Sequence, residues 1–316
     1  MLTLSEAQKY TVNKVVKGVL MEIVEESAVL QRIPWAGIMG NALQYLREAE
    51  LPSASFFDSN EVWTEETGRV YQVTAGIKIM GKDADIDNFL QSTRSDYTDI
   101  EAETIQMSAK GIKRTFMDGF WYGDSAVNSK TFDGTHKFFL TGGESAAELT
   151  AQSTHIGSGA VGAGLKVSDM DVTFDKVRDG KPDCIITTRA IRRRLTQYLR
   201  TLSNLIDYTR DEFGMLIPTW AGLPLYADDF LTQTETIASA KFSLKTGGAT
   251  ASMFFLTFAT DALHGIQNGS LSTRKLGQLH NKDSVRWRIR WYVGLCLKRT
   301  IRVGIIDGIT DVAVVA

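Results

Sequence analysis

The sequence predicts an α+β fold, and two segments carry that prediction. Residues 95–123 place apolar side chains three to five positions apart, which keeps them on one face of a helix: Tyr97, Ile100, Ile105, Ala109, Ile112, Phe116 and Phe120. Ser95 is the candidate N-cap, and Gly123 supplies a stop. Residues 285–297 instead alternate apolar side chains with Arg286, Arg288 and Arg290, the period of a strand with one buried face.

Two segments precede the hairpin described next. Ser5 and Gln8 form a capping-box pattern ahead of an apolar helical face that runs to about Ser27. This segment is predicted to be either a core helix or a terminal docking arm, and the two interpretations are equally supported. Residues 29–40 contain one proline and two glycines, which favours a strand or extended connector over a helix.

A long β-hairpin is predicted in the following stretch. Residues 56–63 and 69–80 are rich in strand-forming side chains, and a polar turn at 64–68 ends in Gly68. The tip at 58–69 has little apolar surface to bury in its own subunit, and an isolated two-stranded ribbon is marginally stable in water. The hairpin is therefore expected to lie on a partner. A mobile surface hairpin is the alternative.

The second half of the sequence predicts further short elements. A helix is expected at 167–180, capped by Ser168 or Asp169, and another at 189–202. Strands are expected at 184–188, 222–229 and 251–260. A final strand is expected over 300–306 and is turned by the Ile-Asp-Gly that ends at Gly308. These late strands are expected to return to the long helix.

Composition excludes several classes of protein. The 316 residues are 43% hydrophobic with a formal net charge of −2, which argues against binding of nucleic acid driven by charge alone. No apolar run is long enough for a membrane span, and the N-terminus lacks the order of a signal peptide. Cys184 and Cys296 are the only cysteines, which indicates a reducing compartment and no disulfide framework.

Motifs for chemistry are weak. The four histidines and two cysteines lack metal-ligand spacing, and no nucleophile stands beside a base, so no metal, no cofactor and no enzymatic activity are expected. Gly157–Gly162 matches G-x-G-x-x-G, but no apolar strand precedes it, so a flexible glycine loop is favoured over a nucleotide site. The acid pairs Glu65–Glu66 and Asp228–Asp229 are assigned to turns without an apolar pocket.

A basic helix face is predicted from five arginines between 189 and 200, among them Arg192 and Arg193. Such a face can contact phosphates, but a solvated face or a salt-bridge surface between subunits is favoured because the chain is acidic overall.

The order of these segments resembles the HK97-like major capsid proteins of tailed bacteriophages. Asn41–Glu48 is similar to the asparagine–aliphatic–aromatic–acid run that precedes the family's hairpin, and Phe120–Asp124 to the end of its long helix. Pro218–Asp229 is similar to its strand–Gly–x–Pro–strand element, and Arg286–Ile309 to its closing strands. The resemblance covers about residues 30–310, and it is the order and spacing of the motifs that carry it.

The resemblance implies an HK97-like capsid fold with four parts. Residues 1–38 would be the N-terminal arm and 39–80 the extended hairpin loop, or E-loop. Residues 81–180 and 285–316 would form the peripheral domain around a spine helix at 95–123, and 181–284 the axial domain. The implied function is self-assembly into pentamers and hexamers of an icosahedral shell around packaged double-stranded DNA. The protein would be assembled in the host cytoplasm and would belong to the virion.

The implied partners and contacts follow from the same resemblance. Partners are other copies of the chain, a portal, decoration proteins, DNA bound non-specifically, and no membrane. The sequence begins almost at the arm, so scaffolding is expected from a separate protein, or from a segment that was removed. Contacts between subunits are predicted at hairpin and helix positions: Asp58, Glu61, Trp63, Glu65, Glu66, Arg69, Arg192 and Arg193.

Two features of the sequence depart from the family pattern, and two other functions are kept as alternatives. Residues 58–74 contain no lysine, and Tyr292 and Val293 stand where the family's catalytic acid is expected, so no covalent cross-link between subunits is predicted. An encapsulin-like nanocompartment shell that binds a cargo enzyme is the main alternative function. A soluble nucleotide-binding enzyme that uses Gly157–Gly162 is a more remote one.

Overall fold

A computed structural model describes residues 27–50, 52–94, 100–140, 151–157, 161–201, 208–210, 216–238, 242–245 and 247–315. The α-helices of this part are α1 (Ala28–Arg32), α2 (Asn88–Arg94), α3 (Ile100–Tyr122), α4 (Thr135–Leu140), α5 (Val167–Lys176) and α6 (Arg189–Thr201). The strands up to residue 227 are β1 (Trp35–Gly37), β2 (Ala42–Glu50), β3 (Arg69–Gly76), β4 (Lys78–Asp87), β5 (Ser153–His155), β6 (Cys184–Thr187), β7 (Tyr208–Arg210), β8 (Leu216–Trp220) and β9 (Leu223–Ala227). The later strands are β10 (Thr236–Ala238), β11 (Phe242–Leu244), β12 (Ala251–Leu256), β13 (Leu263–Gln267), β14 (Ser272–Gln278), β15 (Ser284–Leu297) and β16 (Gly304–Ile309). The predicted α+β fold is confirmed.

The predicted long helix is α3, whose 23 residues span roughly 35 Å. Its apolar stripe is buried as predicted, at Ile105, Ala109, Ile112, Phe116 and Phe120. The start of the predicted helix, with the Ser95 cap and Tyr97, lies outside the described residues. Gly123 follows the last helical residue, where a Cβ atom would overlap the carbonyl oxygens of Gly119 and Phe132. The helix therefore stops at a close-packed corner.

The long predicted strand is β15, and it organises a five-stranded sheet. Its first part pairs with β4 along one edge and with β14 along the other. Its last residues pair with β13, and β13 pairs in turn with β1. Ile289, Trp291 and Val293 are buried against α3, as the alternation predicts. The ring of Trp291 lies 5.1 Å from that of Phe116, so the strand does return to the helix.

A second sheet of seven strands has the order β5-β16-β12-β6-β9-β8-β7. Adjacent residues of β12 enter different apolar clusters: Phe254 and Leu256 pack toward α3, whereas Met253 and Phe255 pack toward α5 and α6. The sheet therefore lies between two apolar layers. The predicted buried strand at 184–188 is its central strand β6, and the strands predicted at 222–229 and 251–260 are β9 and β12.

The hairpin has different strands from those predicted. Strand β3 pairs with β2 (Ala42–Glu50), and not with residues 56–63, which form no strand. The predicted second strand at 69–80 is two strands, because the chain leaves the hairpin at Ile77 and β4 then joins β15. No positive φ occurs at Gly68; at the tip it is Asn60 that has a φ of 69°. Among the described residues no partner strand lies beside 56–63, so their strand propensity is not realised.

Three further boundaries were wrong. Residues 28–32 form α1, in which the Ser27 hydroxyl accepts a hydrogen bond from the Leu30 N–H, so 29–40 is not extended throughout. Helix α5 begins at Val167 as predicted but ends at Lys176 instead of 180, and neither Ser168 nor Asp169 caps it. Residues Thr300–Arg302 form a 3₁₀ turn before β16, and the Ile-Asp-Gly expected to turn the chain lies inside that strand. The predicted N-terminal helix at 5–27 falls almost entirely outside the described residues.

Candidate assembly surfaces

The root of the hairpin is fixed to the end of β15. The Tyr45 hydroxyl donates to the Leu297 carbonyl over 2.7 Å, and the Arg47 guanidinium donates to the carbonyls of Leu297 and Lys298 over 2.6 and 3.1 Å. Glycine is required at residue 294, because a Cβ there would stand 2.5 Å from the carbonyl oxygen of Gly76. The direction in which the hairpin leaves the body is therefore set by β15.

The tip of the hairpin, residues 52–68, forms its hydrogen bonds and its ring contact within itself in the described structure. The Ser53 amide donates to Glu66 Oε2 over 2.6 Å, and the Asp58 amide to Glu61 Oε2 over 2.8 Å. The Ser53 hydrogen bonds hold the pKa of the Glu66 carboxyl below its usual range. The rings of Phe57 and Trp63 stack at 4.8 Å, with 78% of Trp63 still exposed. The tip is thus ordered by its own contacts while its aromatic surface remains open.

The predicted hairpin contacts are gathered at this exposed end. Asp58, Glu61, Trp63, Glu65 and Glu66 lie in the tip, and Arg69 begins β3. All six are exposed, so they remain available to a partner. The sequence did not reveal the apolar character of this end, since Phe56 and Val62 are also fully or largely exposed.

The predicted basic helix is α6, with Ile191 and Leu195 buried as expected. Its arginines bind acids of their own chain: Arg193 and Arg194 reach the Asp311 carboxylate over 3.0 and 2.7 Å, and Arg189 pairs with Asp229. Arg192 is half-buried, and desolvation lowers the pKa of its guanidinium. In the described structure neither Arg192 nor Arg193 forms a hydrogen bond or ion pair with the hairpin residues, and their contact with a neighbouring subunit stays a prediction.

A buried polar joint connects the end of α3 to the seven-stranded sheet, and sequence reasoning missed it. The Tyr122 hydroxyl and the Ser252 hydroxyl donate to opposite oxygens of the Glu235 carboxylate, over 2.5 and 2.6 Å, and His136 Nε2 lies 3.2 Å from it. Burial raises the pKa of Glu235, but the charge of His136 and the three hydrogen bonds outweigh it, so the pKa is lowered. Four separate segments meet here, and no sequence spacing signals that.

Asp228 stands directly before a turn at 229–230, as predicted, and its Oδ1 accepts a hydrogen bond from the Phe230 N–H over 2.8 Å. It is buried, however, with 7% exposed, and burial raises its pKa to about 6. It directly follows Ala227, the last residue of β9.

The outer face of the five-stranded sheet carries arginines in register. Arg286 and Arg288 bind Asp85 and Asp83 of β4 through paired hydrogen bonds of 2.6–2.8 Å. Arg274 of β14 stands directly opposite Arg288, so two like charges are neighbours. The charged side of the alternating strand was visible in the sequence, but its cross-strand neighbours were not.

Sites for chemistry are sparse in the described structure. No group of three or more histidine, cysteine, aspartate or glutamate side chains among the described residues is arranged to hold a metal ion. No helix in the described part of the chain is long and apolar enough to cross a membrane. The next described helix after Gly157–Gly162 begins only at Val167, and a Cβ on Gly162 would overlap the Gly308 carbonyl oxygen, so packing explains this glycine.

Comparison of the whole chain with solved structures gives matches over its full architecture. The encapsulin SrpI of Synechococcus elongatus PCC 7942 aligns with a TM-score of 0.61 at 13% identity, covering 91% of this chain and 89% of that one. The capsid of a native GTA particle aligns with a TM-score of 0.60 at 12% identity over 90% of both chains. The chain has the HK97-like capsid fold. A structure from Mycobacterium phage Adephagia has the same fold, with a TM-score of 0.58 at 13% identity over 90% of both chains.

Sequence-level comparisons add no closer relative. No protein-family model matches the chain, and no curated protein matches it. The HK97-like fold is thus established by three-dimensional similarity, and it is shared by shells described as encapsulins and as capsids.

Proposed function

We propose that this chain is the subunit of a closed protein shell and that its hairpin is the clasp between neighbouring subunits. The observation that carries the proposal is the tip, which is largely exposed and whose hydrogen bonds and ring contact, among the described residues, all lie within the tip. An exposed two-stranded ribbon with open aromatic side chains is stable when it lies on a partner. The HK97-like fold supplies a body suited to shell building.

The shell proposed is a major capsid of pentamers and hexamers that encloses double-stranded DNA, without covalent cross-links. The absence of lysine from residues 58–74 supports non-covalent closure. Residues 39–80 act in this proposal as the extended loop, 81–180 with 285–316 as the peripheral domain, and 181–284 as the axial domain. A scaffolding protein, a portal and decoration proteins are the further partners proposed, and the virion is the place of the assembled protein.

An encapsulin-like shell is the second candidate, and the similarity to SrpI favours it. The two candidates differ in content, since one encloses DNA and the other a cargo enzyme. Shells purified after nuclease treatment separate them: retained long double-stranded DNA supports the capsid, and a single co-purified enzyme without DNA supports the encapsulin.

Assembly itself is tested by negative-stain electron microscopy with light scattering on the purified chain, with and without a scaffolding protein. Closed shells are expected, and a stable monomer at high concentration in both conditions would refute the proposal. A variant that lacks residues 58–69 is expected to fold, with unchanged circular dichroism, and to fail to assemble. If that variant still forms shells, the hairpin is not the clasp.

A further inference from the structure

The tip of the hairpin has a defined chemical character that specifies its partner surface. Four acidic residues flank Trp63 in the sequence of the tip, and all are exposed: Asp58, Glu61, Glu65 and Glu66. We call this group the acidic tip. The carboxylates of Glu61 and Glu66 each accept a hydrogen bond from a backbone amide of the tip. Glu65 makes no hydrogen bond or ion pair in the described structure. A surface that binds the acidic tip must offer positive charge next to apolar area.

The outer face of the five-stranded sheet offers both. Arg274, Arg286, Arg288 and Arg290 project from β14 and β15, and Ile79 of β4 and Tyr292 of β15 are paired at one end. We call these six residues the arginine face. Ile79 is 79% exposed, so an apolar contact is open beside the charges.

The charges on the arginine face are not balanced. Asp83 and Asp85 neutralise Arg288 and Arg286 in bidentate pairs, and these pairs hold the pKa of both carboxyls below their usual range. Arg290 donates only to the Ser272 hydroxyl over 3.0 Å and lies over the ring of Tyr292. Arg274 has no acidic partner among the described residues. Two guanidinium groups therefore remain for an outside acid.

We propose that the acidic tip of one subunit docks on the arginine face of a second copy of the chain. Charge complementarity and matching apolar residues favour this occupant. The arginine face has two arginines without an acidic partner in the described structure beside Ile79 and Tyr292, and the tip has a free carboxylate beside Trp63 in the sequence. Trp63 also suits a guanidinium, which stacks on aromatic rings. A nucleic-acid backbone supplies the opposite charge but no apolar side chain to cover Ile79.

The proposed contact joins different copies of the chain. The root of the hairpin leaves from the end of β15 near Leu297, and within the described residues the hydrogen bonds and ring contact of the tip all lie inside the tip. The contact is head-to-tail, because the surface given by one subunit differs from the surface it uses on the next. Heterologous contacts of this kind close into rings when the rotation between neighbours allows it.

Charge reversal on each side tests the proposal in the full-length chain. Glu61→Lys with Glu65→Lys reverses the tip, and Arg274→Glu with Arg290→Glu reverses the face. Each pair is expected to lower the yield of shells at least about tenfold, because like charges brought together oppose association. All four changes in one chain are expected to restore most of the yield. Lys181→Glu, an exposed cation outside the arginine face, is the matched control and is expected to assemble normally.

Melting temperature and circular dichroism of each variant distinguish failed folding from failed assembly. Trp63→Ser gives a second, uncharged test of the tip.

The inference rests on the proposed shell function, and different results refute the inference and the function. A wild-type chain that never assembles refutes the function. A wild-type chain that assembles, with reversals that have no effect or do not rescue each other, overturns only the docking site. Face variants that assemble normally but lose retained DNA would overturn it in favour of nucleic acid.

Discussion

The Tyr122 hydroxyl donates a hydrogen bond of 2.5 Å to Oε1 of Glu235, a residue with no exposed side-chain surface. Tyr122 is the last residue of α3, and Glu235 is 113 residues further along the chain. The contact therefore ties the end of the long helix to the seven-stranded sheet through a buried charge. Such a charge is tolerated only while every partner is in place.

Glu235→Gln is expected to destabilise the fold by roughly 3–5 kcal/mol, because it removes the buried carboxylate that Tyr122, Ser252 and His136 contact together. Chemical denaturation monitored by circular dichroism measures the change. Ser252→Ala removes a single hydrogen bond to the same buried carboxylate and is expected to cost about 1.5–3 kcal/mol. A glutamine variant as stable as wild type would show that the joint contributes little.

Phe116→Ala is expected to cost about 3–5 kcal/mol, since it empties the centre of the contact between α3 and β15. The Phe116 ring lies 5.8 Å from Trp35, 5.7 Å from Phe132 and 5.1 Å from Trp291. Thermal unfolding measures the loss. Met107→Ala on the exposed side of the same helix is the control and should change stability by less than about 0.5 kcal/mol.

Arg47→Ala is expected to loosen the hairpin without unfolding the body. It removes the guanidinium that bonds the carbonyls of Leu297 and Lys298, so the local opening free energy of β2 and β3 should fall by about 1–3 kcal/mol. Amide hydrogen exchange measures this strand by strand. Gln44→Ala, exposed on the other side of β2, should leave exchange unchanged. Equal protection in both variants would mean that the root does not depend on Arg47.

Asp307→Asn is expected to change how stability depends on pH. Burial raises the pKa of Asp307 from 3.8 to about 6, so the folded state binds a proton between these values that the unfolded state has already lost. Folding stability supplied by wild-type Asp307 therefore falls as pH rises from about 4 to 6, by at most about 3 kcal/mol. The asparagine variant lacks this fall, so its stability relative to wild type should increase with pH across that range.

Denaturation midpoints at pH 4, 5, 6 and 7.5 measure this difference between variant and wild type. His155, whose Nδ1 lies 3.2 Å from the Asp307 carboxylate, loses its partner in the variant, which shifts all midpoints but does not restore the slope. A constant difference between variant and wild type at all four pH values would contradict the prediction.

Periodicity predicted the elements that have one buried face. The stripe of α3 and the alternation of β15 are long enough for their burial to follow from sequence alone, and β6 is a short apolar run buried on both sides. The order of these elements also carried the correct fold. The five-stranded sheet could not be predicted, because β4 and β15 are 197 residues apart at their first paired residues, Asp87 and Ser284.

The candidate surfaces were predicted only in part. The position of the tip followed from its polar composition, but its true strand partner β2 did not, since residues 56–63 have the higher strand propensity and only the three-dimensional environment rejects them. Contact of Arg193 with a neighbouring subunit stays a prediction. The sequence did not signal its intramolecular partner, Asp311, which lies 118 residues away.

The hairpin is anchored at its root, near Gly294 and Arg47, so a small rotation at the root produces a large displacement of the tip. About seventeen residues separate Ala42 from Ser59, which permits a reach of at most about 55 Å at roughly 3.3 Å per residue. Over such a length, a rotation of about 5° at the root displaces the tip by up to about 5 Å. Shifts of a few tenths of an ångström around residue 294 therefore change the position at which the tip meets a neighbouring molecule.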